Sequence, residues 1–172
     1  MRKTGMILGM ALMIFHFSYS QDQRKHTDDE LLSIARLVMD KAGNCALITL
    51  DYDGHPRART MDPFAPDEYM IVWFGTNPHS RKVKEITADS RVTLYYFDKP
   101  GGSYVIITGN AELVNDPQVK ESKWKTEWEG FYTDREMNYM LIKVTPLTLE
   151  VVSPQNEVVT DGLTWQPPIV KF

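Results

Sequence analysis

Between residues 45 and 152 the chain carries six runs rich in β-branched, aromatic and aliphatic residues: 45–52, 56–61, 69–75, 91–97, 103–114 and 139–152. Turn chemistry separates several of them. Asp53-Gly54 stands between the first two, and "DKPGG" stands between 91–97 and 103–114. Such short connections return a strand beside its predecessor in the opposite direction, because a parallel neighbour needs a long crossover. The pattern predicts a mainly antiparallel sheet. An open sheet of this size exposes two unpaired edges, and closing it into a barrel removes them.

Periodicity adds detail. In "PRARTM" (56–61), Arg57, Arg59 and Met61 share one face, and Ala58 and Thr60 the other. In 103–114, Val105, Ile107, Gly109, Ala111 and Leu113 share one face. The run 69–75 is almost continuously apolar, as a central strand is. Pro146 interrupts the last run and predicts an edge or a bulge, since it has no N–H for the ladder. Helices frame the strands. "TDDE" is a capping box with Thr27 and Glu30, and Leu31, Ile34, Ala35 and Val38 follow at helical spacing up to Gly43. A second helix is expected over 78–88. "NDPQ" opens a third, on which Trp124 and Trp128 stand four residues apart and face the core. The tail after residue 152 is expected to be short and extended.

The first twenty residues differ from the rest. Arg2 and Lys3 precede the apolar stretch "MILGMALMIF", and Ser18 and Ser20 precede Gln21. This is the pattern of a secretory signal peptide cleaved near Ser20, which predicts an exported, periplasmic or secreted protein. An uncleaved N-terminus would make a cytoplasmic protein. The stretch is too short for a comfortable membrane span, so no stable membrane anchor is expected. Without Arg2 and Lys3, 17 basic residues stand against 23 acidic ones, a net charge of −6. That balance argues against nucleic acid as a partner. The single cysteine, Cys45, cannot form an internal disulfide and reads as a small buried residue. One domain, residues 27–172, is expected to follow the leader.

The chemistry concentrates in "FGTNPHSRKVKEI" (74–86). An apolar strand leads through Thr76, Asn77 and Pro78 into a helix start, where N–H groups are unpaired and the dipole is positive. Ser80 adds a hydroxyl, Arg81 a forked donor and Lys82 a point charge. These are the components of a phosphate site. A capped surface helix with solvated cations fits the same string. Arg57 and Arg59 supply further cations on a neighbouring strand, and on an inward face they require an anionic partner.

These segments resemble a family. "PRARTM", "WFGTNPHSRK", "SRVTLYYF" and "YVIITGNAEL" follow the order and spacing of the pyridoxamine 5′-phosphate oxidase-like flavin-binding proteins, in particular the general stress protein type. The resemblance covers roughly residues 30–152. It implies an α+β fold, a six-stranded antiparallel split β-barrel with two or three peripheral helices. It also implies a homodimer with FMN in the cleft between subunits and a small-molecule redox substrate. By motif position Arg59 would bind the FMN phosphate, with Arg81 and Lys82 completing the cage. Backbone groups near Thr60 and Met61 would face the flavin ring edge. Gly75 and Thr76, at the strand end, and Ser80 would lie along the phosphate or ribityl chain. Tyr104 stands where the oxidases often carry a Gln that reaches the flavin from the partner subunit.

Two departures narrow the activity. Phe64 occupies the position of a lysine in the oxidases' Arg-x-x-x-x-Lys pattern, and the chain ends without their Arg-x-His segment. Pyridoxamine phosphate is therefore not the expected substrate. An oxidoreductase acting on another small molecule is expected; a non-catalytic flavin module is the alternative, as is another flat ligand such as haem or a deazaflavin. No pair of carboxylates and no histidine constellation marks an acid or a base. His55 and His79 lack metal-ligand spacing. Trp165 in the tail is expected either to cover the barrel or the flavin cleft or simply to pack.

Overall fold

The computed structural model describes residues 25–172, so the signal-peptide expectation lies outside the described residues. Helix α1 (Asp28–Ala42) starts on the full capping box, with Thr27 and Glu30 exchanging hydrogen bonds. It ends at Gly43 in a positive-φ conformation that glycine adopts freely. Its buried stripe is Leu31, Ala35, Val38 and Met39, laid across the sheet.

Six long strands form one antiparallel sheet: β1 (Cys45–Leu50), β2 (Pro56–Met61), β3 (Val72–Thr76), β4 (Arg91–Asp98), β5 (Ser103–Val114) and β6 (Met140–Val152). Their order is β2-β1-β4-β5-β6-β3. A short seventh strand, β7 (Ile169–Lys171), pairs with β6. The expectation of six strands therefore gains one, drawn from a tail expected only to be extended. Among the described residues the α-helices number four: α1, α2 (Arg81–Ala88), α3 (Pro117–Ser122) and α4 (Arg135–Asn138). The sheet curls into a half-barrel around an apolar core that includes Leu47, Phe74, Leu94, Ile107, Ile142 and Leu149.

The two outermost strands of the sheet are linked only past the end of β2. Beyond β2, Pro63 forms a bridge with Phe74 of β3, and the Phe64 N–H donates to Trp73 O at 2.8 Å. A single bridge joins β2's continuation to β3; the two strands proper are not paired, and the candidate site lies between them.

Several boundaries differ from expectation for local reasons. Strand β3 begins at Val72, because residues 67–71 form a turn held by Asp67 and by Met70 at φ 60°. Trp124 and Trp128 do not share a helix: α3 stops at Ser122, and Trp128 sits in a separate single turn, Thr126–Trp128. They still pack edge to face, with ring centroids 6.2 Å apart. Pro146 lies opposite the expected irregularity. The β5–β6 register shifts between Thr108 and Gly109, and a Cβ at Gly109 would come within 2.3 Å of Thr145 O. Trp165 is 77% exposed and docks on neither barrel nor cleft, contrary to expectation. Its φ of 60° belongs to a turn closed by its N–H on Asp161 O.

Candidate functional site

Helix α2 begins where β3 ends, and the link is short. The Ser80 N–H closes a turn onto Asn77 O at 3.0 Å, and Asn77 Oδ1 accepts from the His79 N–H at 2.8 Å. The helix therefore starts at Arg81, three residues later than expected, with Ser80 as N-cap. The Ser80 hydroxyl does not cap the helix. It lies 3.3 Å from the Thr76 hydroxyl instead. Lys82 Nζ donates to that same Thr76 Oγ1 at 3.1 Å. Thr76, Ser80 and Lys82 thus form one polar group at the junction of strand and helix.

Arg59 joins from β2. Its Nη1 donates to Thr49 Oγ1 at 2.6 Å and to Leu47 O at 3.2 Å, and its Nη2 donates to Glu85 Oε2 at 2.7 Å. Thr49 in turn donates to Glu85 Oε2 at 2.5 Å. Arg81 Nε lies 3.0 Å from Glu85 Oε1 in an ion pair whose angle is too poor for a hydrogen bond. Glu85 is 2% exposed and is the internal counter-ion of this cluster. Arg59 and Arg81 pair with this one carboxylate and Lys82 feels its charge from beyond ion-pair distance, so three cations share one anion and two positive charges are left over. Burial, and then the charge of Arg59, hold the Lys82 ammonium below its ordinary value, while Glu85 opposes the shift.

Arg57 does not take part. The face it shares with Arg59 leads elsewhere, because Asp51 at the β1 end accepts from Arg57 Nε at 2.8 Å. Asp51 also comes within 4.8 Å of ligand atoms on Asp53 and His55. Its carboxylate is already held by the His55 N–H, by Arg57 and by the Asp53 N–H, which push its pKa down against the opposing effect of burial.

Beside the cation cluster opens a cleft of about 460 Å³, lined by Thr60, Met61 and Asp62 of the β2 end, Gly75 and Asn77 of the β3 end, Lys82, and Trp128, Phe131 and Tyr132. Four of the expected residues (Thr60, Met61, Gly75 and Lys82) therefore line one cavity. Thr76 and Ser80 touch Lys82 or its partner, and Arg59 and Arg81 stand behind it on Glu85. Tyr104 does not line the cleft. It sits at the start of β5 beside Tyr95, with ring centroids 6.1 Å apart, in a tilted arrangement.

Three features were not read from the sequence. Glu85 carried a faint signal, its i+4 spacing from Arg81. Asp62 carried none: it accepts from Lys125 Nζ at 2.6 Å and from Trp128 Nε1 at 2.9 Å, stapling the β5–β6 connection to the end of β2. The third is that connection itself, whose Trp124, Trp128, Tyr132 and Tyr139 rings form a cluster with Phe64. Gly75 lies directly beneath it, and a Cβ there would come within 2.6 Å of Trp128 Cζ3. On the far side of Asp62 a second cavity, also about 460 Å³, opens between α1 and residues 62–66, with the buried Tyr96 in its wall.

A curled antiparallel sheet with a cleft at the separation of its outer strands, Lys82 in its wall and two arginines behind, defines the class. Residues 29–163 match the family model "Pyridoxamine 5′-phosphate oxidase like", and the chain belongs to that family. Solved structures agree on the fold. A protein related to general stress protein 26 from Clostridium acetobutylicum superposes with a TM-score of 0.70 at 18% identity, covering 85% of this chain and 97% of its own. General stress protein 26 from Bacillus anthracis gives 0.65 at 20% identity, covering 81% and 97%. A pyridoxamine 5′-phosphate oxidase-related, FMN binding protein from Nostoc punctiforme gives 0.56 at 12% identity, covering 82% and 94%. Among curated protein sequences, none matches the chain.

Proposed function

We propose that this chain binds FMN in the cleft between the β2 and β3 ends and acts as an oxidoreductase on a small molecule other than pyridoxamine phosphate. One observation carries the reading: Arg59 and Arg81 share a single carboxylate, and Lys82 stands beside them on the linked hydroxyls of Thr76 and Ser80 at a helix start. Two surplus positive charges on a partly desolvated surface favour a dianion. The donor set suits a phosphomonoester, since Lys82 supplies a point charge, Arg81 a fork, and Thr76 and Ser80 hydroxyl donors. The cleft beside it is apolar enough for a flat ring. Its volume falls within the roughly 300–1,000 Å³ usual for small-molecule sites. The Nostoc relative, named as FMN binding, supports the same choice of cofactor.

FMN would supply the redox chemistry when bound, and the protein would bind and orient it. A homodimer fits this reading, with the partner subunit completing the open side of the cleft and its Tyr104 reaching the flavin. Export by the N-terminal leader also belongs to it, with FMN acquired during or after export. Phe64 supports the exclusion of pyridoxamine phosphate: it packs edge to face on Trp128 at 5.4 Å and offers no charge to a second phosphate.

A non-catalytic flavin carrier is the second reading. It is favoured by the cleft's single carboxylate, Asp62, being committed to Lys125 and Trp128. The purified protein is expected to be yellow and to release FMN on denaturation. Replacing Arg81 and Lys82 together with Ala is expected to weaken FMN binding by several kcal/mol, because each charge-assisted contact contributes roughly 1.5–3 kcal/mol. Unchanged affinity in an equilibrium titration overturns the phosphate site. Anaerobic stopped-flow absorbance then separates enzyme from carrier: reduction by NAD(P)H and reoxidation with turnover mark the enzyme.

A further inference from the structure

The cleft has two walls of unlike origin. One is built from the β2 and β3 ends, and the other from the connection between β5 and β6. That second wall is held rigidly. Asp62 and Pro63 accept from Lys125 Nζ at 2.6 and 2.8 Å, Asp62 also accepts from Trp128 Nε1, and the Trp128 ring rests on the backbone of Gly75. The turn that follows is closed by two N–H donors, Phe131 at 2.9 Å and Tyr132 at 3.0 Å, both onto Trp128 O. Tyr132 packs back into the cluster, 6.0 Å from Trp128 and 5.0 Å from Tyr139. Phe131 does not. Of the aromatic residues in 124–132 it alone makes no ring contact among the described residues, and it is 81% exposed. A large apolar ring on a braced turn, lining a cleft and packing on nothing, is a surface that lacks its counterpart.

We infer that Phe131 is the ring-recognising residue of the cleft: it stacks on the flat ring system of the bound flavin, with Tyr132 and Trp128 holding its turn in place. This rests on the FMN reading above and extends it from the phosphate to the ring. The arrangement divides recognition between the two ends. Lys82 and its neighbours select the anionic tail, and Phe131 selects the planar head. It also assigns a purpose to the Asp62 staple, a positioning residue that acts through Lys125 and Trp128.

Riboflavin, which has the ring and no phosphate, separates the two ends. The experiment compares equilibrium affinities of FMN and riboflavin for the parent protein and for Phe131→Ala, Phe131→Tyr and Lys82→Ala, with a thermal melt of each. Because Phe131 is exposed, Phe131→Ala is expected to melt with the parent. It is expected to weaken FMN and riboflavin by a similar factor of about 5–10, in line with the worth of an aromatic stack. It is also expected to shift the visible bands of the bound flavin. Phe131→Tyr is expected to restore both affinities to within about twofold. Lys82→Ala is expected to weaken FMN alone. If Phe131→Ala binds both ligands as the parent does, or loses FMN without losing riboflavin, the stacking role is refuted and the FMN site stands. If the parent binds neither flavin, the FMN reading fails, and the stacking role fails with it.

Discussion

Glu85 is the residue whose replacement tests the electrostatics of the site most directly. Glu85→Gln keeps the shape of the side chain and an oxygen for the Arg59 and Thr49 donors, but it removes the only negative charge in a cluster of three cations. Removing one partner of a fully buried ion pair costs about 3–5 kcal/mol. Here the Arg59 side chain is 17% exposed and that of Arg81 69%, so water screens part of the loss. The expected cost to the ligand-free protein is about 2–3 kcal/mol. For a chain of this size that lowers the melting midpoint by about 4–12 °C. The same substitution raises the surplus charge facing the cleft from two to three. A dianion then binds the variant more tightly than the parent and supplies part of the missing compensation. Saturating FMN is accordingly expected to shrink the difference in midpoint to less than half. Differential scanning calorimetry with and without FMN reads both quantities. A variant as stable as the parent without ligand would show that Glu85 carries no such duty. A difference in midpoint unchanged by FMN would show that the ligand's anion does not sit among these cations.

Gly75→Ala places a methyl group against Trp128 and Tyr139 and is expected to cost about 1–3 kcal/mol in chemical denaturation, with Trp emission shifted; full parental stability would mean that the aromatic cluster is loosely docked. Tyr96→Phe deletes a buried hydroxyl that makes no hydrogen bond and is expected to stabilise the fold by about 1 kcal/mol; a comparable loss would reveal a bond from that hydroxyl to the neighbouring Cys45 thiol. Burial and the charge of Arg59 place the Lys82 pKa below the ordinary 10.5, so in the folded protein Lys82 releases its proton before an unfolded-state lysine does. Raising the pH through that lowered value relieves the cost of a desolvated charge but takes one cation from the anion site. FMN affinity is therefore expected to begin falling below pH 10.5, and a Lys82→Met variant, titrated in parallel, is expected to lack that alkaline limb.

How far the fold could be read depended on how local its determinants were. The capping box at Thr27, the Asp53-Gly54 turn and the alternation of Val105, Ile107 and Ala111 each involve residues a few positions apart, and each stands as expected. The β5–β6 connection shows the opposite case. Trp124 and Trp128 have helical spacing, but Lys123 leaves the helical region at φ −118° and ψ 53°, and the two rings meet through the turn at 126–128. Spacing alone cannot distinguish two residues on one helix from two that a turn brings together. Strand β7 was hidden for a similar reason. Three residues after Pro167-Pro168 carry little pattern of their own, and their strand exists because the edge of β6 is there to pair with.

The site divides along the same line. Its cationic end is nearly contiguous in the chain: Thr76, Ser80, Arg81, Lys82 and Glu85 lie within ten residues of one another, and a strand-to-helix step assembles them. Thr76, Ser80, Arg81 and Lys82 were legible there because spacing and geometry coincide; Glu85, one turn further on, was not read. Alternation placed Arg57 and Arg59 on one face, yet it could not say that Asp51 would claim the first and Glu85 the second, since each choice depends on where another element docks. The apolar end joins residues more than sixty positions apart, Asp62 with Trp128 and Gly75 with Tyr139, and no local pattern announces it. Such long-range walls can change length and side chains without disturbing the strand-to-helix step that gathers the charges. A chain of this architecture can therefore keep its cation cluster while the connection between β5 and β6 changes. On the proposed FMN reading, differences in what members of this class accept are expected to concentrate in that connection, and in this chain at Phe131 and the Asp62 staple that braces it.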